Sequence, residues 1–136
     1  MIEIRTLVAP SDGSETSASA LSVAEAMAER HGADLHVLHV EIVPPSGPRA
    51  STPDAIVADD LGGRRRLDVT RHAPSPGAAI VEYAAEVGAD ALVMGTHGRS
   101  GWDRVVLGST AEFVLRRSPC SVLTVGPQAA PFAQGP

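Results

Sequence analysis

The chain contains no lysine; all 11 of its basic residues are arginine. That excludes a phosphate-loop lysine, a Schiff-base lysine and a lysine general base. It does not exclude phosphate binding through arginine and backbone N–H groups. Asparagine is absent as well, so the first explanation of the gap is composition bias rather than function. Cys120 is the only cysteine. An intramolecular disulfide is therefore excluded, and the chain fits a reducing compartment. No apolar run is long enough to cross a bilayer. The opening residues, Met1-Ile2-Glu3-Ile4-Arg5, lack the basic and apolar regions of a signal peptide. The expected location is the cytoplasm, with no membrane partner. Positive charge is also scarce. With 11 basic and 16 acidic residues the net charge is −5, which argues against a nucleic-acid partner.

What is present suits one soluble globular domain: 136 residues, 43% of them apolar and 20% charged. The hydrophobic period switches repeatedly between strand-like and helix-like. Strands are expected over Ile4 to Ala9, Leu35 to Val40, Arg66 to His72, Ala91 to Met94 and Ser121 to Val125. Helices are expected over Glu15 to Arg30, with Ser14 as a cap, over Ala78 to Val87 and over Ser109 to Arg117. Leu21, Ala24, Met27 and Ala28 mark the inner face of the first helix. A short helix from Pro53 to Leu61, capped by Thr52 and limited by Gly62-Gly63, is expected between the second and third strands. It follows a proline-rich loop from Val43 to Pro53. The domain is expected to occupy residues 1–126, with 127–136, rich in proline, glycine, alanine and glutamine, as a mobile tail.

Strands separated by helices imply an α/β fold, a parallel sheet with helices on both faces. Ligands of such sheets sit at the carboxyl ends of the strands, where the strand order reverses. Two loops have the composition of a site. One is Pro10-Ser11-Asp12-Gly13-Ser14, after the first strand. The other runs from Gly95 to Thr110, GTHGRSGWDRVVLGST, between the fourth strand and a helix. A glycine-rich loop exposes backbone N–H groups, and the helix N-terminus behind it carries about half a positive charge. Together they suit an anion, above all the phosphates of a nucleotide. A β-carbon at these glycines would stand between the amides and the phosphate oxygens.

In these residues the chain resembles the universal stress protein family, in its ATP-binding form. The family pattern of glycine, two residues, glycine, nine residues, glycine and serine or threonine is met by Gly95, Gly98, Gly108 and Ser109. The phrase Met94-Gly95-Thr96-His97-Gly98-Arg99-Ser100-Gly101 is similar to the family's, as are Asp12-Gly13-Ser14-Glu15, Leu38-His39-Val40 and Ser118 to Leu123. The resemblance covers the chain from first strand to last. It implies a Rossmann-like open sheet of five parallel strands in the order 3-2-1-4-5, with ATP in the crevice and a homodimer. It also implies a role in stress response or growth arrest, with protein partners unspecified. By residue, Asp12 would meet the ribose or adenosine side and Val40 the adenine, through its backbone. Gly95, His97 and Gly98 would line the ribose and phosphate path, and Gly108, Ser109 and Thr110 would hold the outer phosphates. Pro10, Ser11, Met94 and Arg99 complete the expected nucleotide-binding set. Two departures stand out. The segment from Glu41 to Arg66 is short, and Ala73-Pro74-Ser75-Pro76 replaces the family's glycine before an aspartate-proline pair.

Each feature also has a plainer role. Ser109 is placed to cap its helix, and Asp12 is a turn former that could hold a ribose hydroxyl or a hydrated divalent cation, Mg2+ or Mn2+. Arg99 and Arg104 suit a solvated surface as well as a phosphate. Trp102 could cap the loop or pack on a partner subunit. His36 and His39, three apart on a strand, point to opposite faces. No metal site is expected among the five histidines, and Cys120 reads as a small buried apolar residue. The apolar last strand, Ser121 to Val125, would be a sheet edge and could pair with a second copy. With no catalytic residues in evidence, the expectation is a nucleotide-dependent regulatory protein rather than an enzyme. The alternatives are a slow ATPase and a nucleotide-free interaction module of the same fold.

Overall fold

The computed structural model describes residues 3–12, 15–44, 55–96 and 107–126. The apolar runs form strands β1 (Thr6–Ser11), β2 (Asp34–Ile42), β4 (Arg65–Ala73), β5 (Ala91–Gly95) and β6 (Ser121–Val125). These five are mutually parallel. Helices α1 (Glu15–His31), α2 (Pro76–Val87) and α3 (Ser109–Arg117) supply the crossovers among the described residues.

Each central strand is apolar on both faces because helices cover both. On one face Leu7, Leu35, Val37 and Val93 pack under Ala20, Val23, Ala24 and Ala28 of α1. Met27 and Leu21 sit at the margin of that cluster. On the other face Val8, Leu38, Val69 and Leu92 pack under Ile80, Tyr83 and Ala84 of α2 and Ala111 and Val114 of α3. Burying each such leucine or valine contributes about 1.5–3 kcal/mol. The alternation along β2 decides the two histidines. His36 turns to the α2 face and bonds Tyr83, while His39 turns to the α1 face, with Nε2 3.7 Å from Asp68 Oδ1.

Residues 55–61 of the expected helix over 53–61 are not helical, and residues 53 and 54 lie outside the described residues. Ala55–Asp60 form β3, which runs antiparallel to β4 at the sheet edge. The sheet therefore has six strands in the order β3-β4-β2-β1-β5-β6. Without β3 the order is the expected 3-2-1-4-5. The turn explains the difference. Gly62 and Gly63 take φ +71° and +100°, a region that residues with a β-carbon rarely enter. Asp60 Oδ1 accepts their N–H groups at 3.1 and 3.4 Å, and the Leu61 N–H donates to the Arg64 carbonyl at 2.7 Å. The glycine pair closes a hairpin instead of ending a helix.

Three smaller corrections bear on the site. β1 runs on to Ser11, so Pro10 and Ser11 are strand residues, not loop residues. Helix α2 starts at Pro76, a residue suited to a first helical position because it has no N–H to leave unpaired. The cap of α3 is Gly108, in an extended conformation, and Ser109 is the first helical residue. The expected caps Ser14 and Thr52 lie outside the described residues, as does the segment 127–136.

Candidate functional site

β1 stays paired with β2 through Ser11↔His39, but its pairing with β5 covers only Leu7↔Ala91 and Val8↔Leu92. Beyond Val8 the two strands part. Pro10, which has no N–H to donate, falls where β1 has already left β5. The parting occurs where the connections reverse. From β1 the chain crosses through α1 on one face, and it reaches β5 through α2 on the other. A crevice at the carboxyl ends of the strands follows from that topology.

A cavity of about 840 Å3 occupies it. Pro10, Ser11 and Asp12 line it from the end of β1, and Leu38, His39, Val40, Glu41 and Ile42 from β2. Pro76 and Ile80 contribute from the first turns of α2, and Ser17 from the first turn of α1. Met94, Gly95 and Thr96 come from β5 and its end, and Gly108, Ser109, Thr110 and Ala111 from the start of α3. Of the residues read from the sequence, Pro10, Ser11, Asp12, Val40, Met94, Gly95, Gly108, Ser109 and Thr110 thus share one cavity. His97, Gly98 and Arg99 lie outside the described residues, as do Trp102 and Arg104.

The two ends of the glycine-rich loop are tied together. The Thr96 N–H donates to the Val125 carbonyl at 3.0 Å, and the Gly108 N–H donates to the Thr96 carbonyl at 2.7 Å. Gly108 has thus already committed its amide. The first intrahelical bond of α3 runs from the Glu112 N–H to the Gly108 carbonyl, at 2.9 Å. The amides of Ser109, Thr110 and Ala111 precede it and face the helix's open end. The positive end of the helix dipole thus lies at the cavity, which Ser109, Thr110 and Ala111 line. Ala111 was missed in the sequence because an alanine at the start of an amphipathic helix reads only as core.

The walls differ in chemistry. Leu38, Val40, Ile80 and Met94 belong to the apolar cluster on the α2 face, and with Pro76 they make an apolar wall. The rim on the other side is polar. Glu41 Oε2 lies 2.9 Å from His72 Nε2. The described carboxylates of the lining, Asp12 and Glu41, come from the β1–β2 side. No group of three or more histidine, cysteine or acidic side chains among the described residues is arranged to hold a metal ion.

Comparison with known proteins identifies the family. The family described as "Universal stress protein family" matches residues 3–126. A universal stress protein of Thermus aquaticus is 33% identical over 134 residues, spanning 89% of this chain and 98% of the relative. Among solved structures, the universal stress protein UspA of Lactobacillus plantarum superposes with a TM-score of 0.71 at 20% identity, covering 92% of this chain and 99% of that one. A universal stress protein in complex with cAMP gives a TM-score of 0.60 at 26% identity, covering 93% and 100%. No helix among the described residues is long and apolar enough to cross a membrane.

Proposed function

The chain belongs to the universal stress protein family, and from that premise we propose that it is a cytoplasmic regulatory protein that binds ATP in the crevice between β1 and β5. The observation that carries this reading is the pairing of two unlike walls in one cavity. An apolar slot from β2, α2 and Met94 faces the open N-terminus of α3. A nucleotide is the common ligand that needs a dry slot for a ring at one end and amide donors for an anion at the other. A relative that binds cAMP supports the adenine-nucleotide class.

In this reading the Val40 backbone meets the base, and Asp12 meets the ribose or a hydrated Mg2+ or Mn2+. Gly95 and Thr96 leave the path open, and the amides of Ser109 to Ala111 hold the phosphates together with the Ser109 hydroxyl. His97, Gly98 and Arg99 belong to the same path by their place in the family pattern. Hydrolysis, if any, is slow. The chain has no lysine, and the described carboxylates of the cavity stand on the β1–β2 side, not beside α3. Bound ATP would then act as a signal read by another protein. Two copies of the chain would pair through β6.

The test is a thermal-shift scan across nucleotides with magnesium. ATP raises the melting temperature by mass action, and guanine and pyrimidine nucleotides raise it less. A folded protein whose melting point ignores millimolar ATP would sink the reading. Single-turnover hydrolysis of labelled ATP then separates a binder from a slow ATPase.

A further inference from the structure

We propose that Gly77 and Phe113 are positioning residues of the nucleotide site, whose contact sets the distance between the base-side wall on α2 and the phosphate-side wall on α3. The inference rests on the nucleotide reading above and adds to it a pair of residues that the family pattern does not contain.

Gly77 is the second residue of α2, next to Pro76 and one turn before Ile80, both of which line the cavity. Phe113 lies one turn beyond Ser109 and Thr110, which line the opposite wall. Residues three or four apart on a helix share a side, so this contact stands one turn from each wall. It is also a tight contact. A β-carbon built on Gly77 would stand 2.7 Å from Phe113 Cδ1, 3.0 Å from Cγ and 3.3 Å from Cβ. The Phe113 ring could swing its edge away, but its Cβ is fixed to the α3 backbone. The Arg117 guanidinium lies over the same ring, 4.7 Å from its centre, and favours its present position. A β-carbon at residue 77 would therefore require the Phe113 ring to turn or the helix spacing to widen.

The consequence is selective. A ligand that touches both walls depends on their spacing, because it cannot keep its contacts at both ends when the walls move apart. A ligand that touches one wall does not. ATP spans base slot and anion site, whereas adenosine reaches only the slot.

The experiment compares ATP and adenosine by calorimetry on the wild-type chain, Gly77→Ala, Phe113→Ala and the double variant, with a melting curve for each. Gly77→Ala is expected to weaken ATP by about tenfold or more and adenosine by less than about threefold. The double variant, with the ring removed, is expected to recover most of the ATP affinity. Should Gly77→Ala fail to fold, Phe113→Ala carries the test, since the freed space shifts the same ratio of ATP to adenosine affinity. Folded variants that keep the wild-type ratio overturn the proposal. So does an equal loss for both ligands, which would mark a purely structural role. A wild-type chain that binds neither ligand overturns the nucleotide reading, and the proposal with it.

Discussion

His36 Nδ1 and the Tyr83 hydroxyl are hydrogen-bonded at 2.6 Å, joining β2 to α2 inside the core. Arg71 of β4 lies 5.2 Å from the centre of the Tyr83 ring and bonds Glu86 of α2 at 3.0 Å. One helix is thus tied to two neighbouring strands beneath the wall of the cavity. Burial pushes the His36 pKa below its ordinary 6.5, against the pull of Asp34 and with help from Arg65. Burial likewise pushes the Tyr83 pKa above its ordinary 10.0. Both groups are therefore neutral in the fold at neutral pH.

The lowered His36 value makes stability depend on pH with a definite sign. Above pH 6.5, the ordinary value, folded and unfolded chains both hold His36 neutral, and its contribution is complete. Below that value the unfolded chain takes up a proton that the folded chain refuses. Stability then falls as the pH drops from the ordinary value through the lowered one. Denaturant unfolding between neutral and mildly acidic pH should show this loss. His36→Gln, which does not titrate, should flatten that part of the slope. Equal slopes in the two proteins would assign the loss to other groups.

The hairpin between β3 and β4 makes a second expectation. Gly63 sits at φ +100°, and a β-carbon there would meet no other atom within 4 Å. Any cost of Gly63→Ala is thus backbone strain alone, about 1–2 kcal/mol. Val57, 60% exposed on the edge strand, should accept threonine within about 0.5 kcal/mol. Chemical denaturation of the two variants checks both. A neutral Gly63→Ala would mean that the turn is not formed in solution.

That hairpin is also where the sequence was least legible. The strands β4, β5 and β6 and the helix α3 announce themselves because each carries an apolar face that the fold buries, such as Leu67 and Val69 or Ala111 and Val114. β3 has no such face. Ile56 and Val57 are adjacent, point to opposite sides and stay 59% and 60% exposed, so neither helical nor strand period is visible. Only the glycine pair carried information, and a Gly-Gly step before a strand is a hairpin signal. The site divides in the same way. Gly95, Gly108 and Ser109 are visible because chemistry at a strand–helix junction needs small residues. Pro76, Ile80 and Ser17 are not, because each is an ordinary residue near a helix start that lines a cavity only through where its helix is placed. The packing of Gly77 on Phe113 is equally silent, since the two residues are 36 positions apart in the chain.

The two sheet edges differ in a way that bears on assembly. β3 carries Asp59 and Asp60, charges that discourage edge pairing, while β6, Ser121–Val125, carries none. Pairing through β6 about a two-fold axis would give an isologous dimer. Light scattering at micromolar concentration should report about twice the 14.0 kDa of one chain. Hydrogen exchange should protect the β6 amides more than those of β3. A monomeric mass, or an unprotected β6, would remove this interface.

Ser109 offers the sharpest test of the proposed anion site. It is the first residue of α3 and is exposed in the cavity, and with Gly108 as the cap its hydroxyl is not needed to start the helix. Ser109→Ala should therefore leave stability within about 0.5 kcal/mol. A hydroxyl donating to a phosphate oxygen is a charge-assisted bond, and its loss costs about 1.5–3 kcal/mol. The expected result is an affinity for ATP lower by about tenfold to a hundredfold, with adenosine unaffected. Calorimetry on the two ligands separates the outcomes. An unchanged ATP affinity would take Ser109 out of the site and leave the phosphates to the backbone amides of α3 alone.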